Sequence, residues 1–172
     1  MAEDGATIAT SRMILRRARA SDLEAIHAIL SLPEAMRYWS TPEHETLEET
    51  RLWLHSMITA TTSDEFVLEM GGRVIGKAGA WRLPEIGYIL HPDYWRQGLM
   101  REALEAILPW LFARHPVTAL TAEADPRNRA SCALLEQLGF VETHRAQNTM
   151  QWRDEWCDSV YFSLPRSPNF LS

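Results

Sequence analysis

The 172-residue sequence is poor in cysteine, holding only Cys132 and Cys157, far apart in the chain. Two isolated cysteines make neither a disulfide framework nor a metal-ligand pattern, so a metal-free chain in a reducing cytoplasm is expected. The six histidines are scattered, and no His-Glu-x-x-His spacing occurs. No apolar run approaches the roughly 20 residues of a membrane span. Met1-Ala2-Glu3-Asp4-Gly5 has neither a basic nor an apolar region, so no secretion signal is expected there. There is no Gly-x-x-x-x-Gly-Lys-Ser/Thr loop and no Gly-x-Gly-x-x-Gly turn, which sets aside two nucleotide-binding classes. Positive charge is the scarcer sign: 17 Lys and Arg against 23 Asp and Glu leave a net charge of −6. That balance argues against a broad nucleic-acid footprint. No internal repeat or low-complexity tract is present.

What is there is enough apolar material for a core. Hydrophobic residues make up 46% of the chain and charged residues 23%, which fits a single packed domain, its core expected over about residues 11–164. Residues 12–17 read as a first strand. Ser21-Asp22-Leu23-Glu24 reads as a capping box opening a helix that runs to about Leu30 and is broken by Pro33. A second helix is expected after Thr46, burying Leu47, Trp53, Leu54, Met57 and Ile58. The period then changes. Residues 65–70 and 73–81 read as a hairpin turned by Gly71-Gly72, and residues 85–90 as the next strand. Gly87 inside that strand marks a bulge or a close backbone approach. Helical spacing starts at Gly98 with Met100, Leu104, Ile107, Leu108 and Leu111, and Pro109 is expected to kink or end that helix. A strand over 117–123, a helix over 128–138 capped by Gly139, and strands over 140–147 and 160–164 follow. Strand, helix, strand between Glu85 and Glu123 implies a parallel pair with a right-handed crossover. The class is α/β, one central mixed sheet flanked by helices.

Residues 91–107, HPDYWRQGLMREALEAI, hold the clearest chemical signal. A helix exposes about four unpaired N–H groups in its first turn, with a partial positive charge at that end. Gly98 lets a backbone approach an anion without a Cβ in the way, and Arg96 and Arg101 add full charges. Phosphate binding and a plain loop glycine both fit this spacing alone.

The surrounding residues resemble a known family. Residues 85–104, with Trp95-Arg96-Gln97-Gly98-Leu99-Met100, look like the acetyl-CoA-binding core of the GCN5-related N-acetyltransferases (GNAT), in the RimJ/RimL-like branch. The family signature is Arg/Gln-x-x-Gly-x-Gly/Ala, and Trp often takes the first place in this branch. A second match is Asn128-Arg129-Ala130-Ser131 through Leu138-Gly139-Phe140. A third is Ser11-Arg12-Met13-Ile14-Leu15-Arg16 followed by Ser21-Asp22. Together they cover nearly the whole chain. Met100 departs from the Gly or Ala of the family; its long side chain either crowds the pyrophosphate or turns into the core.

The resemblance implies a splayed, mostly antiparallel sheet with one parallel pair, and acetyl-CoA-dependent transfer of an acetyl group to a primary amine by direct attack in a ternary complex. The acceptor is a protein N-terminus or a small-molecule amine. The alternative is an acyl-CoA-binding module without turnover. Implied cofactor contacts are Ile89, Leu90, Trp95, Arg96, Gln97, Gly98, Leu99, Met100, Arg101, Glu102, Asn128 and Ser131. Acyl transfer needs the ammonium to lose a proton, the oxyanion to be held and the thiolate to be protonated. Glu85 is the candidate base, directly or through water; a solvent-facing strand end is the other reading. Gly87 and Tyr88 are the candidate backbone donors to the oxyanion. Ser131 is the candidate acid, with Asn128 holding the pantetheine; an N-cap role is open for Asn128. Cys132 reads as a buried helix residue, not a nucleophile. Tyr38, Trp39, Trp81, Trp152 and Trp156 are candidates for the acceptor pocket. The acidic balance suits a cationic acceptor. No metal, nucleic acid or membrane partner is expected, and monomer and homodimer both stay open.

Overall fold

A strand that alternates apolar side chains to two faces is buried on both when helices cover both. Asp64–Met70 (β3) is such a strand: Phe66 and Leu68 face one layer and Val67 the other, all fully buried. In the computed structural model, which describes residues 5–168, β3 lies inside an eight-stranded sheet. Its other strands are Thr7–Ala9 (β1), Ile14–Arg16 (β2), Arg73–Arg82 (β4), Glu85–Leu90 (β5), Ala119–Ala124 (β6), Val141–Trp152 (β7) and Glu155–Pro165 (β8). The spatial order is β1-β2-β3-β4-β5-β6-β8-β7. Neighbours pair antiparallel except β5 and β6, which run parallel as expected. Of the five residues read as lacking a secretion signal, 1–4 lie outside the described residues.

Helices Leu23–Leu30 (α1), Pro33–Met36 (α2) and Leu47–Thr59 (α3) cover one face of the sheet. Leu99–Arg114 (α4) and Arg129–Gln137 (α5) cover the other. The larger core lies under α4, which buries Leu104, Ile107, Leu111 and Phe112 against Phe66, Leu68 and Ile75. Thr46 opens α3 with a reciprocal capping box: its hydroxyl accepts the Glu49 N–H, and the Glu49 carboxylate accepts the Thr46 N–H. No helix among the described residues is long and apolar enough to cross a membrane.

Several local expectations are corrected. Pro109 neither ends α4 nor stops its packing; the helix continues to Arg114. The hydrogen bond that proline cannot make would go to the carbonyl of exposed Glu105, which water can satisfy, while buried Leu108, Leu111 and Phe112 hold the helix on the sheet. Leu47 and Ile58 are exposed on α3, leaving Leu54 and Thr50 as its fully buried positions. Ser21 is not a cap. Asp22 instead accepts the Arg19 N–H and two bonds from the Arg16 guanidinium. The last two strands are longer than read: β7 extends to Trp152 and β8 begins at Glu155. The segment 148–159 escaped because most of β7 is exposed and shows no alternation.

Arg16 also binds Glu69 at 2.7 Å, so one half-buried guanidinium ties β2, β3 and the start of α1 together. Burial works to raise the Asp22 carboxyl, but the bonds from Arg16 and Arg19 outweigh it and hold it below the usual range. A lowered folded pKa stabilises the fold above the unfolded value, about 3.9, and that contribution is lost as pH falls through the folded value. Asp22→Ala is expected to cost about 3 kcal/mol in urea melts at pH 7, and the difference from wild type should shrink at pH 3. Equal stability of the two proteins at pH 7 would contradict this role for the pair.

Candidate active site

The parallel pair is the weak seam of the sheet. β5 and β6 are in register only at Glu85 and Thr121, where the Thr121 N–H donates to the Pro84 carbonyl at 2.9 Å. Beyond that point they separate. Residues 86–90 and 122–125 line opposite walls of a cleft of about 1140 Å³. On its other edge β5 stays paired with β4, and the His91 N–H donates to the Ile75 carbonyl. Backbone groups alternate sides along an antiparallel strand, so the N–H of Tyr88 faces the cleft and that of Gly87 faces β4.

The cleft ends at the start of α4. A short 3-10 turn, Pro92–Tyr94, leads into residues 95–98, and the Trp95 indole donates to the Leu90 carbonyl at 2.8 Å, pinning the loop to the end of β5. Arg96 and Gly98 both take left-handed φ, 59° and 73°, which curls successive N–H groups into an anion-binding concavity. The first bond within α4 is Glu102 N–H to Gly98 carbonyl, so the amides of the turn before it are without helical partners. A Cβ on Gly98 would meet only the Arg12 Nη2, at 3.7 Å; the space over the loop is open. Leu99 and Met100 turn into the core, Met100 being 8% exposed while still edging the cleft. Arg96 and Arg101 also line it, whereas Gln97 and Glu102 do not. Residues of this shape and charge fit the phosphates of a coenzyme A.

Across the cleft, Asn128 caps α5 by accepting the Ser131 N–H at 3.2 Å. The Ser131 hydroxyl lies 2.6 Å from the Tyr88 phenol, so a side-chain pair bridges the gap between β5 and α5. Burial, only partly offset by the Ser131 bond, pushes the Tyr88 phenol up to about 12 and keeps it protonated near neutrality. The Cys132 thiol is also raised by burial, and it does not line the cleft.

The far end is lined differently. Glu85 does not line the main cleft. It lines a neighbouring cavity of about 320 Å³ with Thr121, Glu123, His144 and Tyr161. Ala122 and Glu123 belong to both spaces. Trp81 lies over Gly87 and donates to Glu85 at 3.1 Å. His144 stacks on Tyr161 with centroids 4.3 Å apart, and the Glu123 carboxylate accepts the Ser159 hydroxyl. Tyr38 and Trp39 line the main cleft from the connection between α1 and α3. Trp39 is backed by the Lys77 ammonium, which pairs with Glu65 in a buried ion pair. Trp152 lies under Arg37 and Arg153 without lining the cleft, and Trp156 is 58% exposed and lines neither space. Arg37 and Arg127 both reach Glu155, Arg127 also holds Asp125 at 2.7 Å, and Arg153 pairs with Glu43. These ion pairs fasten the Tyr38–Trp39 segment to the β7–β8 hairpin. Glu123, Arg37 and Arg127 carried no signal as site residues in the sequence; Arg12 stood only inside the N-terminal motif, with no role attached to it.

The parallel pair thus parts above a glycine-led helix start, leaving a long cleft between β5 and β6. The family model described as an acetyltransferase (GNAT) domain matches residues 12–141, and the chain belongs to that acetyltransferase family. Over 144 residues it is 27% identical to the uncharacterized N-acetyltransferase YoaA of Bacillus subtilis (strain 168), covering 76% of this chain and 80% of that protein. The ribosomal protein bS18-alanine N-acetyltransferase of Escherichia coli (strain K12) is 40% identical over 76 residues, 44% of this chain and 51% of that protein. The solved structure of RimL, a ribosomal L7/L12 alpha-N-protein acetyltransferase in complex with coenzyme A, shares the fold. Its TM-score is 0.82 at 18% identity, covering 93% of this chain and 98% of that one.

The Tyr88 environment is open to direct measurement. In an alkaline absorbance titration, phenolate signal should go on developing up to about pH 12. Tyr88→Phe should remove that late step. A titration curve with the same late step in the variant would contradict the assigned environment.

Proposed function

We propose that this chain moves the acetyl group of acetyl-CoA to a primary amine, a protein N-terminus or a small-molecule amine, by direct attack in a ternary complex. The observation that carries the reading is the parting of β5 from β6 between a cationic, glycine-led helix start and a pocket holding Glu85 and Glu123. The cosubstrate supplies an activated thioester; the rest falls to the residues. The Arg96–Arg101 loop binds the phosphates with first-turn amides and two guanidinium groups. The open edges of β5 and β6 bind the pantetheine amides, with Asn128 beside them. The Tyr88 N–H stabilises negative charge on the carbonyl oxygen. Glu85, oriented by Trp81, takes the proton from the acceptor ammonium, directly or through water. The Ser131 hydroxyl, backed by the protonated Tyr88 phenol, returns a proton to the sulfur. Two carboxylates near the nitrogen favour a cationic acceptor. The two named N-terminal acetyltransferases above support a protein N-terminus as one of the two acceptor classes.

The test is acceptor-dependent thiol release from acetyl-CoA against N-terminal peptides, polyamines and amino acids. Glu85→Gln is expected to lower kcat about 10²- to 10⁴-fold with the KM for acetyl-CoA little changed. Unchanged turnover removes Glu85 as base. Tight acetyl-CoA binding with no release for any acceptor supports a binding module instead.

A further inference from the structure

Arg12 lies outside every motif that touches the phosphate loop, yet its side chain is built into it. It sits just before β2, and its Nη1 donates to the Gln97 carbonyl at 2.8 Å. Its Nε donates to the Glu102 carboxylate at 2.7 Å, and its own backbone N–H donates to the same carboxylate at 2.9 Å. The remaining nitrogen, Nη2, lies 3.7 Å from where a Cβ on Gly98 would stand. Glu102 poses a problem that Arg12 solves. It is a carboxylate in the first turn of α4, close to the amides that would receive a phosphate, and like charges at such range oppose each other. Burial favours its neutral form, but hydrogen bonds from Thr10 and Arg12 outweigh this and keep it ionised.

We infer that Arg12 is a positioning residue for cofactor binding: it fixes the Gln97–Gly98 turn in its anion-receiving form, neutralises Glu102, and turns one guanidinium edge towards the phosphates. The planar fork suits this three-way task, since lysine offers a single point charge. The inference rests on the acetyl-CoA reading above.

The test compares two ligands with the same thioester, acetyl-CoA and acetyl-pantetheine, the second lacking every phosphate. Dissociation constants are measured by calorimetry on wild type, Arg12→Met and Arg12→Lys. Arg12→Met is expected to weaken acetyl-CoA roughly tenfold and Arg12→Lys by less, while acetyl-pantetheine shifts by less than about twofold. Equal acetyl-CoA affinity in wild type and Arg12→Met overturns the assignment and leaves the acetyl-CoA reading intact. Parallel weakening of both ligands marks a general structural role and also overturns it. No acetyl-CoA binding by wild type sinks the function reading and this inference together.

Discussion

One missing interaction organises the molecule: after Glu85 and Thr121, the β5 and β6 backbones stop pairing. Buried backbone groups left unpaired are costly, so the gap must be either filled or supported. Some of its groups are answered locally, as when the Trp95 indole takes the Leu90 carbonyl. Others, among them the Tyr88 N–H, face the cleft. The sheet survives the break because α4 packs against β4, and its buried Leu104 and Ile107 share one hydrophobic cluster with Leu120 of β6 and Phe162 and Leu164 of β8. Tyr88 and Ser131 add a polar bridge across the gap. Arg37 and Arg127, meeting at Glu155, close its rim.

The same break sorts the charge. Arg12, Arg96 and Arg101 gather where α4 begins, and Glu85 and Glu123 gather at the other end. A net charge of −6 conceals this polarity. On the proposed reading, this polarity would orient a long ligand with an anionic head and a reactive tip, head to the arginines and tip to the carboxylates.

The sequence made some of this readable and hid the rest for physical reasons. The meander was readable because Gly71-Gly72 punctuates two apolar runs, and both glycines take positive φ in the turn. The loop at Gly98 was readable because a helical period starts immediately after it. The middle of the β7–β8 hairpin, residues 148–159, was hidden because an exposed strand has no apolar alternation, and Asn148 at the β7 bulge and Arg153 in the turn take positive φ in place of glycine. Pro109 did not end its helix because that helix is held by tertiary burial, which outweighs one lost hydrogen bond. The placement of Arg12 was hidden because its partner Glu102 is 90 residues away, and only the packed sheet brings β2 beside α4. Glu123 and Tyr161 were hidden for the same reason: a shared pocket joins strands that are distant in the chain.

The most direct measurement is a backbone amide NMR titration of the protein with acetyl-CoA. Binding in the parted seam predicts the largest shifts at Tyr88, Gly98, Leu99 and Met100, with the amides of β1 and α3 unmoved. Shifts concentrated elsewhere, or none at saturating acetyl-CoA, would contradict the seam as the place where the acyl donor binds.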